Sequence, residues 1–209
     1  MSNLDLWNKV RTPDPKFTKP ITFGFKGTAI SPVYLIQMAT EQWGPMGIAW
    51  HVEEVESKVE CGVWFSKIRL HPPGSDRFVE QWGGTQFHVI KKDGTVAYDD
   101  EAAKKSYTDA LSKCLSWLGF GADVHMGLFD DSKYVNDARE KFNAQKTKVT
   151  AKAAIERAKE IAAMIEHAED LGDLQSLWQQ HYSELKQLGN AHYDYAENIK
   201  DKIKLKLGE

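Results

Sequence analysis

The chain has 209 residues, with Lys+Arg 27 against Asp+Glu 30, a formal net charge of -3 and a pI near 6.2. Hydrophobic residues at 42% and charged residues at 27% make an ordinary globular composition rather than a disordered one, and the near-neutral balance excludes a histone-like polycation. Split by region, basic and acidic residues number 11 and 12 in 1–100, 7 and 7 in 101–146, and 9 and 11 in 147–209, so no third is basic and any nucleic-acid role needs a local patch.

In chain order, Pro13, Pro15 and Pro20 break up the first twenty residues, which read as a loose arm with Leu4–Val10 as a short helical candidate. Ser31–Trp43 follows helix logic: Ser31 as N-cap, Pro32 at the first helical position, and Leu35, Met38, Ala39 and Trp43 at helical spacing, closed by Gly44-Pro45. Three strand-like runs follow, at Ala49–Val59, Cys61–Leu70 and Phe78–Ile90, the last two separated by the turn HPPGSD. Gly83-Gly84 inside the third run implies a bulge or a close backbone approach, and Lys92-Asp93-Gly94-Thr95 is a hairpin turn.

The clearest element is a helix over Asp100–Leu118. Ala103, Tyr107, Ala110, Leu111, Cys114 and Leu118 form its expected apolar stripe, and Gly119 its stop. The opposite face presents Lys104, Lys105, Thr108, Asp109, Ser112, Lys113 and Ser116. A polar seam at Phe142–Thr150 precedes three further helical segments, around Ala154–Ile165, Leu174–Leu188 and Ala191–Leu207. No run approaches about 18 apolar residues, so no membrane span is expected. The N-terminus lacks the apolar core of a secretory signal, and two cysteines are too few for a disulfide framework, so a reducing cytoplasm is expected.

The sequence holds no phosphate-binding loop, no dinucleotide fingerprint, no nucleophile elbow and no zincin motif, which speaks against an ATP-driven mechanism. The best enzyme-like cluster lies in GADVHMGLFDD, where Asp123, His125, Asp130 and Asp131 could hold a divalent ion for phosphodiester chemistry; the alternative is a polar loop of caps and turns. Cys114, on the apolar stripe, reads as a small core residue, and neither cysteine reads as a nucleophile. The lysines and hydroxyls on the polar face of the strong helix point one way, as phosphate oxygens require, or else form a solvated ladder through Lys105, Asp109 and Lys113.

Three segments together resemble the single-strand annealing proteins of phage recombination, the Erf, RecT and Redβ types, with their eukaryotic relative Rad-fifty-two. AISPVYLIQMATEQWGPMGIAW (29–50) resembles the opening helix and the Trp-bearing first strand of that fold. CGVWFSKIRL and RFVEQWGG resemble its next two strands. DDEAAKKSYTDALSKCLSWLGFGADVHMG (99–127) resembles its core helix, and FKGTAI looks closest to the phage branch. The resemblance covers about residues 20–140. It implies an α+β fold with a β-β-β-α core of antiparallel sheet packed on a long helix, placed in residues 21–142; the N-terminal arm (1–20) and the C-terminal helical appendage (150–209) lie outside it.

The implied activity is ATP-independent annealing in a bacterial host's cytoplasm. A ring or filament of identical subunits binds single-stranded DNA in a groove and pairs it with the complementary strand, with no cofactor and no required divalent ion. Host single-strand DNA-binding protein and a phage exonuclease are candidate partners. Lys104 and Lys113 match basic residues of the family's inner groove; Lys105, Lys26, Ser112 and the hairpin lysines Lys91 and Lys92 complete the expected DNA-binding set. The sequence departs from the eukaryotic relative at Tyr34, Ser112 and Ser116, where that relative carries basic residues. A metal-dependent nuclease and an oligomeric protein-binding scaffold are the alternative readings.

Overall fold

The computed structural model describes residues 4–22, 26–74 and 76–208; Phe25 of the FKGTAI segment and Ser75 of the HPPGSD turn lie outside them. The chain is mixed α+β and divides into two compact units, 1–140 and 141–209. In the first unit α1 (Asp5–Val10) leads to a short antiparallel hairpin of β1 (Thr18–Ile21) and β2 (Gly27–Ile30). Then come α2 (Pro32–Trp43) and an antiparallel sheet in the order β3 (His51–Glu60), β4 (Val63–His71), β5 (Val79–Gln86). A second hairpin, β6 (His88–Ile90) with β7 (Val96–Tyr98), precedes α3 (Ala102–Trp117) and the short α4 (Ala122–His125).

The sheet packs on α3, and residue size explains how closely. Ala102, Ser106, Ala110 and Cys114 recur every fourth position and are all buried, forming a ridge with almost no side-chain height. Opposite them stands Gly83 on β5: a Cβ there would lie 1.9 Å from the Ser106 carbonyl oxygen and 2.5 Å from the Ala110 nitrogen. The double glycine therefore marks a close approach of helix backbone to strand backbone. Ser106 Oγ donates to the Trp64 carbonyl at 2.6 Å, stitching helix to sheet, while Leu111 and Leu115 reach sideways into a core with Leu35, Met38, Trp50 and Phe120. The expected stripe is thus rotated: Ala103, Tyr107 and Leu118 are only partly buried, because contact with the sheet selects small residues rather than large ones. Cys114 does sit in the core, where burial pushes its thiol up to about 12.

Other expectations are corrected. Of the expected loose arm, residues 1–3 lie outside the described residues, and residues 4–20 are packed: Val10 is 1% exposed, Phe17 stacks on Tyr34 at 4.0 Å, and the Gly121 N–H donates to the Val10 carbonyl at 2.9 Å. The third strand run breaks at Phe87, whose N–H turns to the Gly62 carbonyl at 2.8 Å, so β6 leaves the main sheet to pair with β7. Cys61 does not open a strand. With Gly62 it forms the β3–β4 turn, and both have positive φ (50 and 78), the signature of a type I′ turn. Ser31 sits before α2 in extended backbone, but its side chain makes no cap; its carbonyl accepts from Tyr34 and Leu35 instead.

The division between the units, after Glu140, falls beside the expected seam at Phe142–Thr150, but the chain there is continuous helix: α5 runs Ser132–Glu166 through it. In the second unit the last part of α5 joins α6 (Leu171–Leu188) and α7 (Asn190–Leu207) around Ile161, Ile165, Leu174, Leu185, Tyr193 and Ala196. Arg157 forks onto Glu184 through Nε at 2.6 Å and Nη2 at 3.1 Å.

Two substitutions test this packing. Gly83→Ala forces α3 off the sheet and should cost about 3 kcal/mol in denaturant unfolding, since the obstruction is backbone and cannot rotate away. Cys61→Asn relieves a non-glycine residue of left-handed backbone and should stabilise by about 1 kcal/mol, read as a raised Tm.

Candidate nucleic-acid interface

Because the small-residue ridge of α3 faces the sheet, the helix turns its other side toward the β1–β2 hairpin. The space between them is a groove of about 530 Å³. Ile21, Thr28, Ala29, Ile30 and Pro32 line one wall; Lys104, Lys105, Thr108, Asp109 and Ser112 line the other, with Val124 and His125 beside them. Of the residues expected to bind DNA, Lys104, Lys105 and Ser112 share this groove.

The remaining expected residues lie elsewhere. Lys113 reaches toward β5, donating to the Trp82 carbonyl at 3.2 Å and to Asp109 at 2.7 Å. Lys26 is exposed just before β2, and Lys91 and Lys92 are exposed beside the β6–β7 turn; none of them lines the groove. The hairpin wall was not legible in advance. β1 and β2 are four residues each, too short for periodicity, and β1 contains Pro20.

Every lysine of the polar face has a carboxylate partner. Lys104 meets Glu101 at 2.9 Å, Lys105 meets Asp99 at 2.7 Å, and Lys113 meets Asp109 at 2.7 Å. The hydrogen bond to Asp99 raises the Lys105 pKa and, from the other side, lowers that of Asp99. Exposed pairs of this kind contribute little to stability and exchange readily for another anion. The hydroxyls are also engaged: Thr108 donates to the Lys104 carbonyl at 2.7 Å and Ser112 to the Thr108 carbonyl at 2.9 Å. They would have to rotate before donating to a phosphate. Asp109 has a structural duty, accepting the Gly84 N–H at 3.1 Å and so fixing α3 to the glycine pair.

The carboxylate–imidazole cluster expected in 121–131 does not assemble. Asp123 is fully buried and occupied: it accepts from Arg11 Nε at 2.7 Å, Thr12 Oγ1 at 2.5 Å and Tyr134 Oη at 2.5 Å. Asp130 accepts from Thr28 at 2.9 Å, Asp131 accepts the Lys133 N–H at 2.9 Å, and His125 is exposed. These carboxylates hold chain segments together, and Asp123 ties α1, the loop after it and the start of α5 to one point. Burial raises the Asp123 pKa, but the hydrogen bonds from Arg11, Thr12 and Tyr134 outweigh it and hold the carboxyl below its ordinary value.

Replacing Asp123 by Ala leaves the part-exposed Arg11 guanidinium and two hydroxyls without their acceptor, and should cost about 3 kcal/mol in denaturant unfolding at neutral pH. Because the folded pKa lies below the unfolded one, the stabilisation is complete above the unfolded value of about 3.9 and fades as pH falls through the folded value. Acid titration of stability should therefore be shallower in Asp123→Asn than in the wild type.

No protein-family model and no curated protein sequence matches the chain.

Proposed function

We propose that this protein is an ATP-independent annealing protein that binds single-stranded DNA and pairs it with a complementary strand during phage recombination. The observation that carries the reading is the groove: Lys104, Lys105 and Ser112, expected to face phosphate, share it on the side of α3 that the core does not use. Cations and hydroxyls along a groove bind the sugar–phosphate backbone without reading bases. The base edges stay free to test a second strand, and pairing itself supplies the driving free energy, so no nucleotide cofactor is needed. Under this reading the β-β-β-α arrangement of β3, β4, β5 and α3 is the annealing core. The helical second unit would recruit partners such as a host single-strand DNA-binding protein or a phage exonuclease, in a bacterial cytoplasm.

Assembly of identical copies belongs to the proposal because one groove holds few charges. β3 is an edge strand of ten residues, almost wholly exposed, and its free backbone groups could pair with another copy. Grooves placed side by side would multiply weak phosphate contacts into one continuous site. The nuclease alternative loses its support, since its four expected ligands are dispersed or buried. A protein-binding scaffold would share the assembly but not the DNA.

The test is strand annealing of complementary oligonucleotides in EDTA without ATP. The wild type should accelerate duplex formation without cleavage, with binding that weakens steeply as salt rises. Lys104→Ala combined with Lys105→Ala should slow annealing by at least about tenfold while size-exclusion behaviour stays unchanged. Failure to bind single strands at low salt sinks the proposal.

A further inference from the structure

The sheet face turned away from α3 carries a second constellation. His51 begins β3 and His71 ends β4; the two are register partners, and their imidazoles stack with centroids 4.4 Å apart and planes 8° from parallel. Glu53, two residues along β3 and so on the same face, places Oε1 3.8 Å from His51 Nε2 and 3.8 Å from His71 Nε2. Among the described residues this is the one group of three metal-ligating side chains whose donor atoms all lie within 4.8 Å of one another.

His71 Nε2 is buried and has no hydrogen-bond partner, in a spot enclosed on one side by the second imidazole. An orphaned ring nitrogen of this kind is normally satisfied by a donor, an acceptor or a metal. One cation satisfies all three groups at once. Tetrahedral bonds of about 2.0–2.1 Å need ligand atoms about 3.3 Å apart and the metal in the plane of each imidazole, so side-chain rotations must close the carboxylate gaps of 3.8 Å and swing the His51 ring out of its parallel stack on His71. The side chains of His51 and Glu53 are 55% and 51% exposed and free to make them. Arg69 does not hold Glu53 away: its Nη1 is 3.8 Å from Glu53, whereas its fork grips Glu80 at 2.9 and 2.7 Å.

We propose that His51, Glu53 and His71 form a mononuclear site for a divalent transition metal of the zinc type, with water or an oxyanion as fourth ligand. Two imidazoles and one carboxylate suit zinc, cobalt or nickel, whereas magnesium and calcium prefer oxygen alone. Two of the three ligands are fixed across a strand ladder, and the third sits on the same strand. The Arg69 guanidinium, resting on Phe78 at 4.2 Å, stands beside Glu53 and would favour an anion in the fourth position. The site lies apart from the groove on α3 and stands whether or not the protein anneals DNA.

The test titrates zinc ion into chelator-stripped full-length protein by calorimetry, with cobalt ion as a spectroscopic probe. The expected result is one equivalent bound and intense cobalt d–d absorption, with affinity at least about tenfold weaker in His51→Ala, His71→Ala and Glu53→Gln. Of the seven histidines, five remain in a protein lacking both His51 and His71, so adventitious binding there would persist unchanged. His51 and Glu53 are half exposed, so their variants keep the fold and report on binding even if His71→Ala does not. Absence of saturable one-equivalent binding by the wild type overturns the proposal, as does binding undiminished in the His51 and Glu53 variants.

Discussion

The approach of α3 to β5 governs the rest of the first unit. With Gly83 under the helix and Ala102, Ser106, Ala110 and Cys114 along it, two backbones come nearly into contact. The interface derives its cohesion from dense backbone packing and from hydrogen bonds such as Ser106 to the Trp64 carbonyl and the Gly84 N–H to Asp109, rather than from large side chains. That closeness fixes the rotation of α3. Once the small ridge is inside, Leu111 and Leu115 point into the core and Lys104, Lys105 and Ser112 point toward the hairpin. Asp109 locks the same rotation from outside by accepting the Gly84 N–H. The composition of the groove is therefore a consequence of how the helix is seated.

Asp123 performs a comparable service at the other end of the unit. Two of its donors, the neighbours Arg11 and Thr12, come from 112 and 111 residues away and the third, Tyr134, from 11, so a single buried carboxylate closes a long loop at an entropic cost that its hydrogen bonds offset. A buried charge is tolerable here because every donor around it is used. Within a chain of near-neutral charge, -3, acids and bases also meet in space, in the Asp123 cluster and in the lysine pairs along α3. Annealing as proposed requires phosphate to displace Glu101 and Asp99 from Lys104 and Lys105, which exposed, solvent-screened pairs permit, whereas Asp123 is buried and holds Arg11 with further hydrogen bonds around it.

Legibility in the sequence followed the size of the local signal. α2 and α3 were readable because periodicity and stop glycines agree over many residues. The rotation of α3 was not, since Ser106 scores as polar and alanine as weakly apolar, yet both are chosen for close approach. Gly83-Gly84 did announce that approach. The β1–β2 hairpin gives too few residues for any period, and the break at Phe87 depends on a long-range bond to Gly62. The polar stretch before Thr150 reads as a linker by hydrophobicity, yet its Ala, Gln and Lys residues are adequate helix formers and α5 runs through it. The polar residues of α3 were found from sequence; that a hairpin would stand across from them was not. Asp123 misled because a carboxylate in a loop looks alike whether it awaits a metal or an arginine 112 residues away.

The two faces of the three-stranded sheet show how one short ladder separates tasks. Its inner face, with Ile68 and Leu70 fully buried, belongs to α3 and the core. Its outer face is organised laterally: Lys67 and Arg69 share Glu80, Lys58 lies over Trp82 at 5.4 Å, and Phe65 meets the edge of the same ring. An antiparallel sheet can leave one face to solvent if polar groups pair across strands, and here they do. The histidine pair departs from that pattern, because stacked imidazoles beside one carboxylate bring together groups that neighbouring side chains do not satisfy. Everywhere else on this face a cation has its anion or its ring, so the unsatisfied nitrogen of His71 is a local exception in a surface otherwise balanced by its own residues.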